Sequence, residues 1–321
     1  MGQTTQSVHD TFGEQLPNSL VAVMDIMGFS SVLEQNPNCL DLLTLGTGVV
    51  ACMTSAKHGR NYIGKVDLKK LGLTHSTIEK AKLRIVVFQF SDTVVFALPK
   101  TSPCCMEDAV AFFDTVAWAV STFLDRGLPV QCQIEFGNSW INRANNLFLG
   151  IPFLAAHQKA SNLGFSGIVI SDAAMNAICK TNADPPGIDL AFQRKLCRYV
   201  GVERISVPSK NGKYDPSYCL DWLRFRYGGG EEVDRQYLVE QFTAFSKSLS
   251  DSVIKKIENT EWLIQQFRAH AKRFQEEEQL LEAARIPIQQ GKASTTKKRI
   301  TSTKQNKSKQ TRRRKTQSKS K

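Results

Sequence analysis

A chain of 321 residues that is 41% apolar has ample material for a packed core, as one large domain or two small ones. Its net charge of +12 is unevenly placed: 13 of the 42 Lys and Arg lie between Lys292 and Lys321 with no acid among them, leaving 29 against all 30 Asp and Glu before that point. The eight scattered cysteines exclude a CxxC-type zinc site and read as core residues. No run reaches the roughly 18–20 apolar residues that span a bilayer, and no signal peptide opens the chain, so a cytoplasmic protein with reduced thiols is expected.

Residues 1–19 are polar and expected to be flexible. Leu20–Met24 is continuously apolar and reads as a buried strand, and Phe29–Cys52 as a helix with Val32, Leu33, Leu40, Leu43 and Val49 on one face. Thr54 to Lys82 is a Lys- and Gly-rich excursion with a short helix near its end. Leu83–Phe88 and Thr93–Leu98 flank Gln89–Asp92 as a hairpin. Glu107–Arg126 carries apolar residues at helical spacing and Gly127 stops it. Pro129–Phe136 is the next strand. Leu147–Gly150 is a short strand or turn leading into a helix, Ile151–Asn162. Gly167–Ile170 is a strand, and Ser171-Asp172 caps a helix over Ala173–Lys180. Val200–Val207 and Tyr218–Leu223 are later strands. This alternation, interrupted by a hairpin, predicts an α+β fold with a mixed or antiparallel sheet.

After Gly228-Gly229-Gly230 the composition changes, and two helices are predicted over Glu231–Ser248 and Asp251–Arg285. Pro287 and Gly291 end regular structure. The expected layout is a flexible 1–19, a domain over 20–227, a helical extension over 231–286 and a disordered basic tail over 287–321. That tail holds too little apolar surface to offset its ordering entropy; it is either a solubilising segment or a contact for nucleic acid or another anionic surface.

Two segments stand out, Val21-Ala-Val-Met-Asp25-Ile-Met-Gly28 and Arg84-Ile-Val-Val-Phe-Gln-Phe90-Ser91-Asp92. Each is an apolar run that delivers one aspartate at its end, the first beside a glycine turn and the second inside a hairpin. Two carboxylates on neighbouring strands beside a flexible backbone loop suit a divalent metal and a polyphosphate. An unpaired carboxylate interrupting the buried run around Phe90, Val94 and Val95 is costly, which favours a metal partner at Asp92 over a mere turn role.

Asp25-Ile26-Met27-Gly28-Phe29, with Asp92 on a following hairpin, resembles the class III nucleotide cyclases. Phe90-Ser91-Asp92, Leu147-Phe148-Leu149-Gly150-Ile151-Pro152, the Tyr214 to Leu223 element and Trp262-Leu263-Ile264 look closest to the Pycsar-type pyrimidine cyclases of bacterial anti-phage defence. The likeness runs from about Leu20 to Phe267. It implies a ferredoxin-like cyclase sheet and conversion of UTP, ahead of CTP, to its 3′,5′-cyclic monophosphate and pyrophosphate, the product being a second messenger. It further implies two divalent ions, Mn²⁺ or Mg²⁺, held by Asp25, Asp92 and the Ile26 carbonyl. Backbone N–H groups of Met27, Gly28, Phe29 and Ser30 would take the triphosphate, and a homodimer would place its sites at the subunit interface.

The chain departs from the family in three places. Phe88 stands where purine-specific enzymes carry Lys, and Leu154 and Gln158 stand where an Asn and an Arg stabilise the transition state. His157, Lys159 and Asn162 are the candidate substitutes. Lys195, Arg198 or Arg204 could supply a phosphate-binding cation, Arg198 foremost, and Tyr62 a contact to the base. The competing reading is a catalytically degenerate module that binds nucleotide or dimerises and presents its basic tail to nucleic acid.

Overall fold

The computed structural model describes residues 13–35, 66–99, 105–142, 145, 147–180, 187–226, 233–245 and 247–283. The expected helix beyond Gln35, residues 54–65 of the Thr54–Lys82 excursion with Tyr62 among them, and the basic tail lie outside the described residues. Residues up to Phe267 form one compact unit and 268–321 a second. The described part of the second unit, 268–283, is helical, with His270 edge-on to Phe274 at 4.4 Å between ring centres.

In the first unit, strand β1 (Glu14–Ile26) is followed by α1 (Phe29–Gln35), α2 (Leu68–Leu71) and α3 (His75–Lys82). A hairpin β2 (Val86–Phe90) and β3 (Thr93–Leu98) leads to α4 (Met106–Leu124) and β4 (Val130–Asn142). Then come β5 (Leu147–Gly150), α5 (Ile151–Ala160), β6 (Gly167–Ile170), α6 (Asp172–Ile178), α7 (Leu190–Lys195) with a wide turn Leu196–Val200, β7 (Val202–Pro208) and β8 (Tyr214–Leu220). A 3₁₀ turn Trp222–Phe225, helix α8 (Arg235–Thr243) and helix α9 from 251 to the unit's end complete it.

The strands form one sheet in the order β2-β3-β1-β4-β6-β8-β7, with β5 added to β4. The quartet β2-β3-β1-β4 is antiparallel throughout and has the strand order of a ferredoxin-like core, while β4 and β6 pair in parallel across α5. The expected α+β fold is the one observed.

Layering follows from the two-residue period of the strands. On β1, Leu20, Ala22 and Met24 pack with Val110, Phe113 and Val116 of α4, whereas Val21 and Val23 pack with Val95, Phe148 and Ala156 on the α5 side. Helix α4 is buried nearly all round, lying between the sheet, α3 and the 3₁₀ turn. Its charges are neutralised locally: the Lys82 ammonium sits 2.5 Å from Asp114 Oδ2, and Arg84 pairs with Asp108.

The structure corrects several boundaries. Residues 14–19, expected to be loose, are strand: Glu14, Gln15 and Leu16 pair with Ile141, Trp140 and Ser139. A register shift between Leu16 and Ser19, with Asn18 at φ +51°, breaks the alternation that would have revealed the strand. There Ser19 Oγ donates to the Gly137 carbonyl at 2.9 Å, so the polar stretch is satisfied within the sheet. Strand β4 likewise runs on past Phe136 to Asn142 because β5 pairs with its far end. Strand β8 ends at Leu220, and Trp222 opens a 3₁₀ turn instead of extending the strand. Helix α8 is shorter than expected, starting at Arg235 where Asp234 caps the Tyr237 amide at 2.8 Å. Cys132, Cys179 and Cys219 are buried as expected, but Cys105 is exposed at the start of α4.

Candidate functional site

Asp25 is the penultimate residue of β1, opposite Thr93 of β3 and Gln131 of β4. It continues the Val21–Val23 row and so faces α5. Asp92 occupies the two-residue turn between β2 and β3, where Phe90 pairs directly with Thr93. The turn carries φ +52° at Ser91, the positive first central angle that a type II′ hairpin turn requires. The Ile26 amide donates to the Asp92 carbonyl at 3.2 Å, tying the end of β1 to the turn. Both predicted aspartates are thus brought to one end of the central strands.

Burial pushes the Asp25 carboxyl above its ordinary value, and the nearby Asp92 charge pushes it further. His157 of α5, a hydrogen bond from Thr93 Oγ1 at 3.4 Å and Lys210 pull it back down. A half-buried carboxylate held against a second one is the electrostatic signature of a place for a cation.

Of the four backbone amides assigned to a triphosphate, Met27 is corrected: its N–H donates to the Pro129 carbonyl at 2.8 Å and is committed to the strand end. Gly28, Phe29 and Ser30 begin the first turn of α1, with Gly28 at φ +69°. A Cβ at Gly28 would meet nothing within 4 Å, so its backbone angle, and not crowding, calls for glycine there.

Arg198 is not brought to the carboxylates. It lies in the wide turn Leu196–Val200, where its carbonyl accepts from Arg224 Nη1 at 3.2 Å beside the 3₁₀ turn that packs on α4. That is the opposite face of the sheet from α5. Arg204 is spent on Tyr218, 5.4 Å from the ring centre, and lies 4.0 Å from Asp172. On α5, Leu154 and Gln158 are exposed, His157 neighbours Asp25, and Lys159 Nζ is 2.7 Å from Glu135 Oε1.

Two cations escaped the sequence reading. Lys210 sits in the β7–β8 turn, and its amide donates to the Asn162 carbonyl at 2.9 Å. Lys256 belongs to α9, and its ammonium is depressed by burial and by Lys210 while Asp25 raises it. Loop 161–166 binds these parts together. Gln131, opposite Asp25, donates to the Leu163 carbonyl; Asn259 donates to the Gly164 carbonyl at 2.9 Å, and the Ser166 amide to Thr260 Oγ1 at 2.9 Å. Only the turn residues Ser209-Lys-Asn-Gly212 gave a local hint of Lys210; Lys256 lies on an ordinary amphipathic helix far along the chain.

Among the described residues no group of three or more His, Cys, Asp and Glu side chains gathers as a metal site. Among the described residues the pair Asp25 and Asp92 stands without a third carboxylate gathered to it. Hard oxygen donors in that number match Mg²⁺ or Mn²⁺, which take one or two protein carboxylates and complete their shell with water and substrate phosphate.

No family model matches the chain, and no curated protein matches it in sequence. Several solved structures resemble it. The catalytic core of a rhodopsin-guanylyl cyclase with converted specificity, in complex with ATPαS, is 8% identical at a TM-score of 0.39, over 65% of this chain and 97% of that one. The guanylate cyclase domain of RhGC from Catenaria anguillulae, in complex with GTP, is 11% identical at 0.39, over 64% and 97%. The guanylyl cyclase Cya2 is 14% identical at 0.36, over 65% and 92%. At these identities and scores the likeness does not say what this chain binds or does.

Proposed function

We propose that the protein is a nucleotide cyclase of the class III type, acting on a pyrimidine nucleoside triphosphate, UTP ahead of CTP. The observation that carries this reading is the meeting of Asp25 and Asp92 at adjoining strand ends, with the Asp25 carboxyl raised by burial and further by its neighbour. In the reaction the ribose 3′ hydroxyl loses its proton to solvent, its oxygen bonds the α-phosphorus, and the bond from that phosphorus to the pyrophosphate oxygen breaks. Two divalent ions on such a site lower the cost of the attacking oxygen and of the leaving group.

The chain's own residues divide the remaining work. Asp25, Asp92 and the Ile26 carbonyl would hold the ions. First-turn amides at Gly28, Phe29 and Ser30 receive the β- and γ-phosphates. Lys210 and Lys256, already beside Asp25, take the place assigned to Arg198 as cations for the phosphate charge. Phe88, packed on Phe90 and Phe148, replaces the lysine of purine-specific relatives with an apolar ring, which fits a pyrimidine better than adenine.

A homodimer completes this reading. Leu149, Ile151 and Leu154 are 51%, 84% and 56% exposed on β5 and the first turns of α5, next to the helix that borders the site. An apolar patch there fits a second copy of the chain. The product is proposed to act as a second messenger in anti-phage defence.

The test is a product assay with UTP, CTP, ATP and GTP, each with Mn²⁺ or Mg²⁺, resolved by mass. A cyclic pyrimidine monophosphate that disappears in the Asp25→Ala, Asp92→Ala double variant supports the reading. A folded, dimeric protein that binds triphosphate but makes no cyclic product establishes instead the degenerate module favoured by Leu154 and Gln158.

A further inference from the structure

Helix α5 has a second functional side. Residues two apart on a helix point about 200° from one another. His157 lies beside Asp25, so Lys159 projects to the other flank, where it meets Glu135 at 2.7 Å. On that flank, and on the same face of the sheet, opens a cavity of about 440 Å³ whose lining includes neither Asp25 nor Asp92. Its floor is β4 and β6, one wall is the end of α5, and the others are the start of α6 and the β7–β8 hairpin. A volume of this size lies within the range of small-molecule sites.

The floor is built from polar side chains that folding alone does not call for. Gln133 and Glu135 are 2% and 5% exposed, yet both line the cavity. Gln133 Nε2 donates to Glu135 Oε1 at 3.1 Å, and the same oxygen receives Lys159. Those two donors meet at Oε1, so Oε2 is the oxygen of Glu135 left for a ligand. The same cavity is lined by Asp172, Asp215 and Asn162, the last with its Nδ2 already given to the Gln158 carbonyl. Among the charged lining residues Glu135, Asp172 and Asp215 outnumber Lys159, while Arg204 stands 4.0 Å from Asp172, so the balance disfavours a phosphate here. Val169, Pro208 and Pro216 supply apolar wall against which a flat ring can lie.

We propose that this cavity binds an amino-bearing nucleobase as its free nucleoside, with the exocyclic amino group on Glu135 Oε2 and a ring nitrogen facing the Lys159 ammonium. Neither Asp25 nor Asp92 lines this cavity, and the proposal does not rest on the cyclase reading. Its occupant is of the cytidine, adenosine or guanosine type, and a 5′-phosphate weakens binding because it brings charge against Asp172 and Asp215.

Titration calorimetry of the full chain with cytidine, adenosine, guanosine, uridine and the corresponding 5′-monophosphates tests this. At least one amino-bearing nucleoside is expected to bind tenfold or more tightly than uridine and more tightly than its own monophosphate. Glu135→Gln should lose at least tenfold of that affinity. Ala173→Trp, a bulky change at an exposed position on the cavity's edge, should abolish binding while circular dichroism stays native. The Asp25→Asn, Asp92→Asn variant should bind the nucleoside unchanged, which keeps this site distinguishable from the carboxylate one. Equal binding of uridine, indifference to both cavity variants, or no nucleoside binding to the native protein overturns the proposal.

Discussion

The amide of Ile26 and the carbonyl of Asp92 meet at 3.2 Å, so the residue after the first aspartate is bonded to the second. The separation of the two carboxylates is therefore set by the sheet and not by the reach of a loop. Substituting either aspartate by alanine should lower the proposed cyclase activity by about 10²–10³-fold or more, the scale seen when one preorganised electrostatic contact is lost. Thermal unfolding without added metal should show the same variants unchanged or stabilised, because one of two mutually repelling charges is gone. A variant that loses activity only in proportion to lost folding would contradict the assignment.

Gly28 and Gly150 both have positive φ but for different reasons. At Gly28, φ +69° with open space around an added Cβ makes Gly28→Ala a purely conformational cost of about 1–2 kcal/mol. At Gly150, φ +154° combines with a Cβ 2.9 Å from the Asn138 carbonyl oxygen and 3.0 Å from Ser139 Cα. Gly150→Ala must move backbone and should destabilise more. Denaturant midpoints of the two variants, compared at equal slope, check the order.

Asp114→Ala should be among the most damaging single changes away from the site. It leaves the buried Lys82 ammonium with only the more distant Glu79 at 3.7 Å, so the loss approaches the cost of removing one member of a buried pair, about 3–5 kcal/mol. Added salt should restore little of this, since the pair is shielded from solvent. Urea unfolding at low and high ionic strength measures both effects.

Lys247 gives the fold a pH dependence of known sign. Its ammonium is buried, donates to the Gly127 carbonyl at 2.9 Å, and is pushed down to about 8 by burial and by Lys256. Between about 8 and the ordinary lysine value of 10.5 the unfolded chain holds a proton that the folded chain has released. Over that window this group makes stability rise with pH, and below 8 its penalty is present in full. The Lys247→Met variant should therefore be favoured relative to the native protein most at pH 7, with the gap narrowing towards pH 10. Unfolding midpoints across that range read it directly.

The apolar patch predicts its own loss. If the proposed dimer forms, Ile151→Lys with Leu154→Lys should convert it to a monomer in light scattering while circular dichroism stays native, because both side chains are exposed in a single chain.

The carboxylate pair was legible because each aspartate ends a continuous apolar run, and strand ends next to turns are local signals. Arg198 misled for the same reason that Lys210 and Lys256 were missed. Which face a basic residue reaches depends on the helix or turn that carries it, and nothing in the neighbouring sequence says that α9 returns to the Asp25 end of the sheet. Met27 shows a finer limit: the motif placed its amide correctly near the site, yet the Pro129 carbonyl claims that hydrogen in the folded chain. Strand β1 was read short because its opening residues are polar, and pairing with Trp140 and Ile141, over a hundred residues away, overrides that composition.

The order in which the site is assembled follows from where its parts lie. Once Leu98 has emerged from the ribosome, every residue needed to bring Asp25 against Asp92 is free to pair. Lys210 and Lys256 come much later, the second from the last helix of the unit. A growing chain thus carries its paired negative charges long before the cations that answer them, and a product truncated ahead of residue 251 keeps the repulsion and loses part of the remedy.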